Sequence, residues 1–428
     1  MLWPSNIGSS SVLGNCIAAH AARGLPLPAE MPRVAKTIPT EPTTSANVMS
    51  SHVLSVHEAT EVTHPSQLKH LWHSLWSRTP RASFRQTPEF LEASLARPYS
   101  AARLNSQPDA DRWRFLIVSA WQRPIGIVPF RERTVRRTFG SVRVLSVPES
   151  PWGDCPGPVG PHPATTLAAA VRFLREQDDS WDMLELPEVA AHGVEPTRVP
   201  QALNSHRVVV RKSQRQLLGL ELPATFGQFW ADRDAAARQR WRELEARRSI
   251  RRDEQFIRFR PGGAFHGDTE RQWEFLDQLE QVVRLQDGTP HAARSRELFE
   301  RLRDTHALAV DAGSADVSLW LSNSRPAAFA YNFHCRSRIE TALLLADPNI
   351  PHATDRLIGM MLRDEIARGD SWHLFLPNSV HGTTIDHRVW RPTELRELTV
   401  THDRRATLST RLQRWLAGDR RVTSTSYC

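Results

Sequence analysis

Residues 315–346 read ADVSLWLSNSRPAAFAYNFHCRSRIETALLLA. Three apolar, strand-length runs are separated by two polar clusters, Ser324–Arg325–Pro326 and the residues around Arg336. Runs of that length bounded by turn residues read as strands, so the stretch is a three-stranded antiparallel meander. The next two segments settle the class. ATDRLIGMMLRDEIARG (353–369) has apolar residues at helical spacing and stops on Gly369, a C-terminal cap. SWHLFL (371–376) is a further strand. A meander followed by a helix and a strand belongs to an α/β or α+β domain.

The same order occurs upstream. THPSQLKHLWHSLWSRT (63–79) sets Leu68, Leu71, Trp72, Leu75 and Trp76 at helical spacing. TPEFLEASLAR (87–97) reads as a second helix, with Thr87 as N-cap and Pro88 in its first position. In RFLIVSAWQRPIGIVPFRERT (114–134) two apolar runs flank Gln122–Arg123–Pro124 and predict a hairpin. SVRVLSV (141–147) is a strand, ATTLAAAVRFLREQ (164–177) an apolar-faced helix and WDMLELPEV (181–189) a buried strand. In the second half, TERQWEFLDQLEQVVRL (269–285) and SRELFERLRDTH (295–306) are amphipathic helices ahead of the meander. The halves share an order of elements rather than a sequence repeat, as an old duplication would leave them. The expected division is a disordered segment at 1–52, a first domain at 53–205 and a linking strand and basic helix at 206–255. A second domain at 256–402 and a C-terminal helix and tail at 403–428 complete it.

A chain of 428 residues is long enough for two or three cores. Its 55 basic and 47 acidic residues leave a net charge of +8, enough to help attract anions but not to name one. Cys16, Cys155, Cys335 and Cys428 are scattered, without a C-x-x-C pair, which speaks against a disulfide framework or a cysteine zinc site and fits a reducing, cytoplasmic setting. No run approaches the roughly 20 apolar residues of a membrane span. Residues 1–52 are rich in Ser, Thr, Pro and Ala and lack hydrophobic periodicity.

Several motifs, taken in order, resemble one family. RPIGIVPFRER (123–133) is similar to the hairpin strand, and WDMLELPEV to the later buried strand, of CelD-like acyltransferases, FemAB-type relatives within the GNAT superfamily. RQRWRELEARRSIRRDEQFIRF (238–259) resembles their arginine-rich helix between two GNAT-like halves. RPAAFAYNFHCRSRIETALLLADP (325–348) and IGMMLRDEIARGDSWHLFL (358–376) resemble their second meander, helix and strand. The likeness covers roughly 53–400, and its strength lies in order and spacing. It implies two tandem GNAT-like domains, each a mixed, mostly antiparallel sheet flanked by helices. It also implies N-acyl transfer from acetyl-CoA or another acyl-CoA to an amine or sugar acceptor, in exopolysaccharide or cell-envelope biosynthesis. FemAB relatives take aminoacyl-tRNA as donor. The run 238–255 holds seven arginines and four carboxylates, and its mixed signs read as a solvated helix rather than an RNA contact. Trp241 is its one aromatic residue, so no stacking platform is evident.

The chemistry of the family points to candidate site residues. GNAT-like transfer needs the amine deprotonated and the thioester held in line. The meander offers Tyr331, His334 and Glu340 as acid–base groups; the plainer reading of His334 and Glu340 is edge-strand polar residues with satisfied partners. The donor pyrophosphate is expected where DPNIPHATDRLIGMM (347–361) opens its helix, on Ala353, Thr354, Asp355 and Arg356. CelD-like relatives carry a glycine there and this chain does not, a departure that favours a non-catalytic scaffold as the rival reading. DHRVWRP (386–392) takes the place of a family "YKxxW" element, making His387, Arg388 and Trp390 substrate candidates. The loop WGDCPGPVG (152–160) adds Trp152 and Asp154 for the acceptor. No metal is expected: His381, Asp386 and His387 match no zinc spacing. No G-x-S-x-G motif points to a hydrolase.

Overall fold

A computed structural model describes residues 54–59, 65–91, 112–137, 140–148, 152, 155, 157–178, 180–191, 198–203, 208–248, 253–260, 269–376, 379 and 385–403. The expectations for 1–52, for the C-terminal tail, for Asp154 and for His381 lie outside these residues.

Twelve strands form one continuous sheet in the order β1-β2-β3-β4-β5-β12-β6-β11-β10-β9-β8-β7. The first half supplies β1 (Leu54–Glu58), β2 (Arg112–Ala120), β3 (Arg123–Arg137), β4 (Gly140–Ser146) and β5 (Met183–Ala191). The second supplies β7 (Glu254–Phe259), β8 (Ala315–Ser322), β9 (Arg325–Cys335), β10 (Arg338–Ala346) and β11 (Trp372–Phe375). In each half four antiparallel strands lead into a helix that crosses to a parallel fifth strand: α2 (Pro163–Gln177) between β4 and β5, α8 (Ala353–Ala367) between β10 and β11.

The sixth strands are exchanged. β6 (Val208–Glu221) follows the first half in sequence but pairs with β11 of the second, while β12 (Thr393–Asp403) ends the second half and pairs with β5 of the first. β6 and β12 also pair with each other and close the sheet at its centre. Division by chain position and division by pairing therefore differ at these two strands.

The hairpin turns lie earlier than the polar clusters predicted. Between β2 and β3 the turn is Trp121–Gln122, and between β8 and β9 it is Asn323–Ser324, with all four residues at positive φ. A two-residue loop with both residues left-handed matches the strand twist, so Arg123–Pro124 and Arg325–Pro326 are drawn into strands. Thr87 caps as expected, its Oγ1 accepting from the Phe90 amide at 3.2 Å.

Strand alternation sorts the second half's core. Val317, Leu319, Tyr331 and Phe333 face α6 (Thr269–Arg284) and α7 (Ala292–Asp311). Trp320, Ala328, Ala330 and Leu344 face α8. The basic helix α5 (Ala235–Arg248) is not solvated all round, as its composition suggested. Ala237, Trp241 and Leu244 are buried, and Trp241 stacks on Trp230 of α4 (Phe226–Ala231) with centroids 5.1 Å apart and planes 12° from parallel. One apolar stripe suffices to dock a helix whose other faces are charged. The side chains of Arg247 and Arg248 lie outside the described residues.

Candidate active site

The parallel pair β10–β11 runs from Arg338 opposite Trp372 to Thr341 opposite Phe375, where β11 stops while β10 continues to Ala346. At the same point β10 bulges against β9, its register shifting between Thr341 and Leu343. A bulge interrupts the ladder and re-aims the chain, and such features concentrate beside active sites. The chain beyond β11 turns back here: the Leu376 amide donates to the Thr341 carbonyl at 3.0 Å, and the Leu344 amide to that of Ser379 at 2.8 Å. α8 begins after the loop that leaves β10. Its N-cap, His352, is left-handed (φ 60°) and makes no side-chain cap.

The side chains at the start of α8 are engaged within the protein. Ala353, Thr354 and Asp355 are buried. Asp355 Oδ1 accepts from the Trp390 indole at 2.7 Å and from the Asp386 amide at 3.2 Å. Burial pushes its carboxyl up, against the opposing effect of those two donors. Arg356 donates to Glu254 at 3.1 Å and lies over the Trp320 ring, 5.7 Å from its centroid. The charge expected to be offered to a ligand is thus spent on Glu254. Trp390 closes the short helix α9 (His387–Trp390) and is fully buried, whereas His387 and Arg388 are exposed. Trp390 therefore joins the donor-helix start through Asp355, and the two polar residues beside it face solvent.

The meander candidates part company. Tyr331 lies in the α7-facing core, its hydroxyl 2.9 Å from His306 Nδ1, and burial together with the charge of Asp316 raises its pKa. His306 is lowered by burial to about 4. Tyr331 and His306 are thus partners within the core. Glu340 is buried at the junction of the halves. It accepts from Ser83 Oγ at 2.6 Å and Arg85 Nε at 3.3 Å, and pairs with Arg338 at 2.9 Å. Burial alone would raise its pKa, but Arg85, Arg338 and the Ser83 hydroxyl hold it below the ordinary carboxylate range. Trp152 reaches the same junction, packing on Phe333 (5.8 Å) and Phe90 (6.3 Å). Glu340 and Trp152 thus meet where the first half's 83–90 segment covers β9 and β10. His334 stands on the opposite face, partly exposed, with Nε2 3.5 Å from Asp370.

A set of residues outside the expected site forms a buried, heavily charged cluster. Arg258 on β7 donates to Asp316 on β8 through Nε (2.9 Å) and Nη2 (2.8 Å), to Glu365 on α8 at 3.0 Å, to Asp364 at 3.0 Å and to the Met361 carbonyl at 3.3 Å. Arg260 joins Asp316 at 2.6 Å to Asp370 at 2.7 Å. Asp316 is fully buried; burial pushes its carboxyl up, but Arg258 and Arg260 outweigh that and hold it at about 2. A depressed carboxyl stabilises the fold above its ordinary pKa of about 3.9 and loses that contribution as pH falls. Unfolding free energy should therefore drop between about pH 4 and pH 2. Asp316→Asn, less stable at neutral pH, should show a shallower drop there in denaturant titrations. An identical slope would mean that another carboxylate governs the acid limb.

Among the described residues no group of three His, Cys, Asp or Glu is placed to hold a metal ion, and no helix is long and apolar enough to cross a membrane.

Comparison with known proteins rests on shape. No protein-family model matches the chain, and no curated protein matches it in sequence. Among solved structures, FemX superposes with a TM-score of 0.52 at 9% identity, covering 81% of this chain and 98% of FemX. A tandem GNAT protein from the clavulanic acid biosynthesis pathway covers 81% of this chain and 98% of its own at 11% identity, with a TM-score of 0.38. A conserved protein of unknown function from Bacteroides thetaiotaomicron gives 0.46 at 11% identity, covering 78% of this chain and 97% of that one. The likeness to FemX, at 9% identity, is one of fold alone, and the strand order repeated in the two halves is the feature of this chain that goes with it.

Proposed function

We propose that the second half is an acyltransferase centre that moves an acyl group from coenzyme A, or a related thioester, to an amine of a small molecule or sugar. The observation that carries this reading is the opening of β10 and β11 beyond Thr341, beside the bulge and ahead of the α8 N-terminus. Ligands of open α/β sheets bind outside the carboxyl ends of strands, and a helix start offers amides and a positive dipole to phosphate. With the Asp355 and Arg356 side chains engaged elsewhere and the Ala353 and Arg356 amides bonded to Ile350 and His352, the backbone amides of Thr354 and Asp355 carry the donor's anionic end. His387 and Arg388 are exposed on the short helix whose Trp390 donates to Asp355. The acceptor amine must lose a proton as it attacks the thioester carbon, and when the C–S bond breaks the departing thiolate takes up a proton from water to leave as the thiol. Glu340 and Tyr331 are committed to internal partners. His334, partly exposed and 3.5 Å from Asp370, lies opposite Ile339 at the C-terminal end of α8, away from the opening, so the proton passes to water rather than to a meander residue. Cell-envelope or exopolysaccharide precursors are the acceptors that the sequence resemblance favours.

Arg356 and Glu254 make the reading testable. Calorimetry with acetyl-CoA on the full chain should give saturable binding. Glu254→Gln, which releases Arg356, should tighten it several-fold, and Arg356→Gln should weaken it. The self-paired donor turn favours one alternative, a GNAT-like scaffold without transferase activity. Absence of binding to the unaltered chain and to Glu254→Gln alike would select that alternative, unless aminoacyl-tRNA binds instead.

A further inference from the structure

The α8 face of the second half carries a closed circuit of buried hydrogen bonds. Arg258 donates to Glu365 Oε1 (3.0 Å), and Glu365 Oε2 meets His373 Nδ1 (2.7 Å). His373 Nε2 meets Thr341 Oγ1 (2.8 Å), which lies 2.7 Å from Asn332 Oδ1. Asn332 Nδ2 reaches Asp316 (3.3 Å), and Asp316 returns to Arg258. Five of the six are fully buried, and Arg258 nearly so.

Carboxylate, imidazole and hydroxyl at 2.7 and 2.8 Å have the spacing of a nucleophile triad. Counting hydrogens decides whether the circuit contains one. Asp316, gripped by two arginines, only accepts. The Asn332 atom facing it must then be the amide nitrogen, since the flipped amide would oppose two acceptors. Asn332 Oδ1 is thereby turned to Thr341 and accepts its one hydroxyl hydrogen. Thr341 has only lone pairs left for the imidazole, so His373 Nε2 carries a hydrogen. Nδ1 faces Glu365, which is already paired with Arg258, so it carries one as well.

We infer that His373 is a buried imidazolium, donating from both ring nitrogens and holding Thr341 in place at the point where β10 bulges and parts from β11. Charge balance points the same way. Arg258 and Arg260 are the two arginines paired with Asp316, Glu365 and Asp370, while Asp364 is shared with Arg368. His373 supplies the third buried positive charge; His334, the other imidazole of the cluster, meets Asp370 from a partly exposed position. The hydrogen bonds therefore run in the direction opposite to a triad: the imidazole has no lone pair with which to take the Thr341 proton. His373 is a positioning residue, and in the acyl transfer proposed above (on which this last step alone rests) Thr341 accepts no acyl group.

The test uses the full chain labelled with ¹⁵N-histidine at neutral pH. His373 is assigned by its loss in His373→Gln or, should that variant not fold, by cross-relaxation with the Thr341 methyl group. Both ring nitrogens are expected to show directly bonded, slowly exchanging protons. Either ring nitrogen without a bonded proton overturns the inference. A second arm treats the protein with p-nitrophenyl acetate and maps the peptides. Thr341 should stay unmodified, and an acetyl group there that His373→Gln abolishes would overturn the inference too. Neither arm needs donor binding, so the acyltransferase reading can fail while this one stands.

Discussion

Replacing Arg258 with alanine should cost about 3–5 kcal/mol of stability, because it strands buried carboxylates rather than merely deleting contacts. The side chain is 2% exposed and Asp316 and Glu365 are 0% exposed, so water cannot take over when the guanidinium goes. Arginine at this position is a geometric choice as well as a charge. Its planar fork addresses both Asp316 oxygens and still reaches Glu365, Asp364 and the Met361 carbonyl. Lysine keeps the charge but has one ammonium, so Arg258→Lys should fall between the native chain and the alanine variant. Urea unfolding midpoints would order the three proteins. A loss below about 1 kcal/mol for alanine would put Arg258 in the range of exposed ion pairs and remove the case for a closed interior circuit. The damage should be felt on both sides of α8, since Arg258 ties that helix to β7 and β8 at once.

Much of the second half was legible in the sequence because its signals are local. Alternation and turn residues marked β8 to β10, and Gly369 marked the end of α8, where its φ of 84° suits glycine. The exchange of β6 and β12 was not legible. Each reads as an ordinary strand, and nothing within a strand says which distant edge it will join. The candidate site fared unevenly for a similar reason. Glu340 and Tyr331 looked like acid–base residues because sequence shows a polar group in an apolar run but not its partner. Ser83 and Arg85 come from over 250 residues away. The charged circuit did leave a trace. Asp316 in ADVSLW, Asn332 in AFAYNF and His373 in SWHLFL each interrupt an apolar strand, and Arg258 does so in QFIRF. One polar residue per neighbouring strand is what a layer across one face of a sheet would require. Aligning those interruptions by register, rather than weighing each alone, would have pointed to it.

Gly359 is the second position where a small change should have a large effect. It lies in α8 where helix propensity alone would prefer alanine, by about 1 kcal/mol. A Cβ placed there would sit 2.1 Å from Cη2 and 2.5 Å from Cζ3 of Trp241, far inside contact distance. The indole cannot easily yield. It is stacked on Trp230, lies 5.4 Å from Trp390 and 6.1 Å from Phe226 between ring centroids, and its neighbour Leu244 is buried as well. Overpacking a filled core typically costs about 1–3 kcal/mol, which exceeds the propensity gain. Gly359→Ala should therefore destabilise the protein, and Gly359→Val more so. The docking of α5 on α8 depends on this close approach, so the loss belongs to the helix pair and not to α8 alone. A double-mutant cycle with Trp241→Leu isolates it: shortening the side chain should make Gly359→Ala nearly harmless, with a coupling of about 1–3 kcal/mol. Strictly additive losses would show that α5 does not rest on the glycine and that the aromatic cluster docks by another route. Because Trp390 belongs to the same cluster and donates to Asp355, overpacking at Gly359 should also loosen the donor-helix start. In the acyltransferase reading, Gly359→Ala then weakens acetyl-CoA binding although residue 359 touches no ligand.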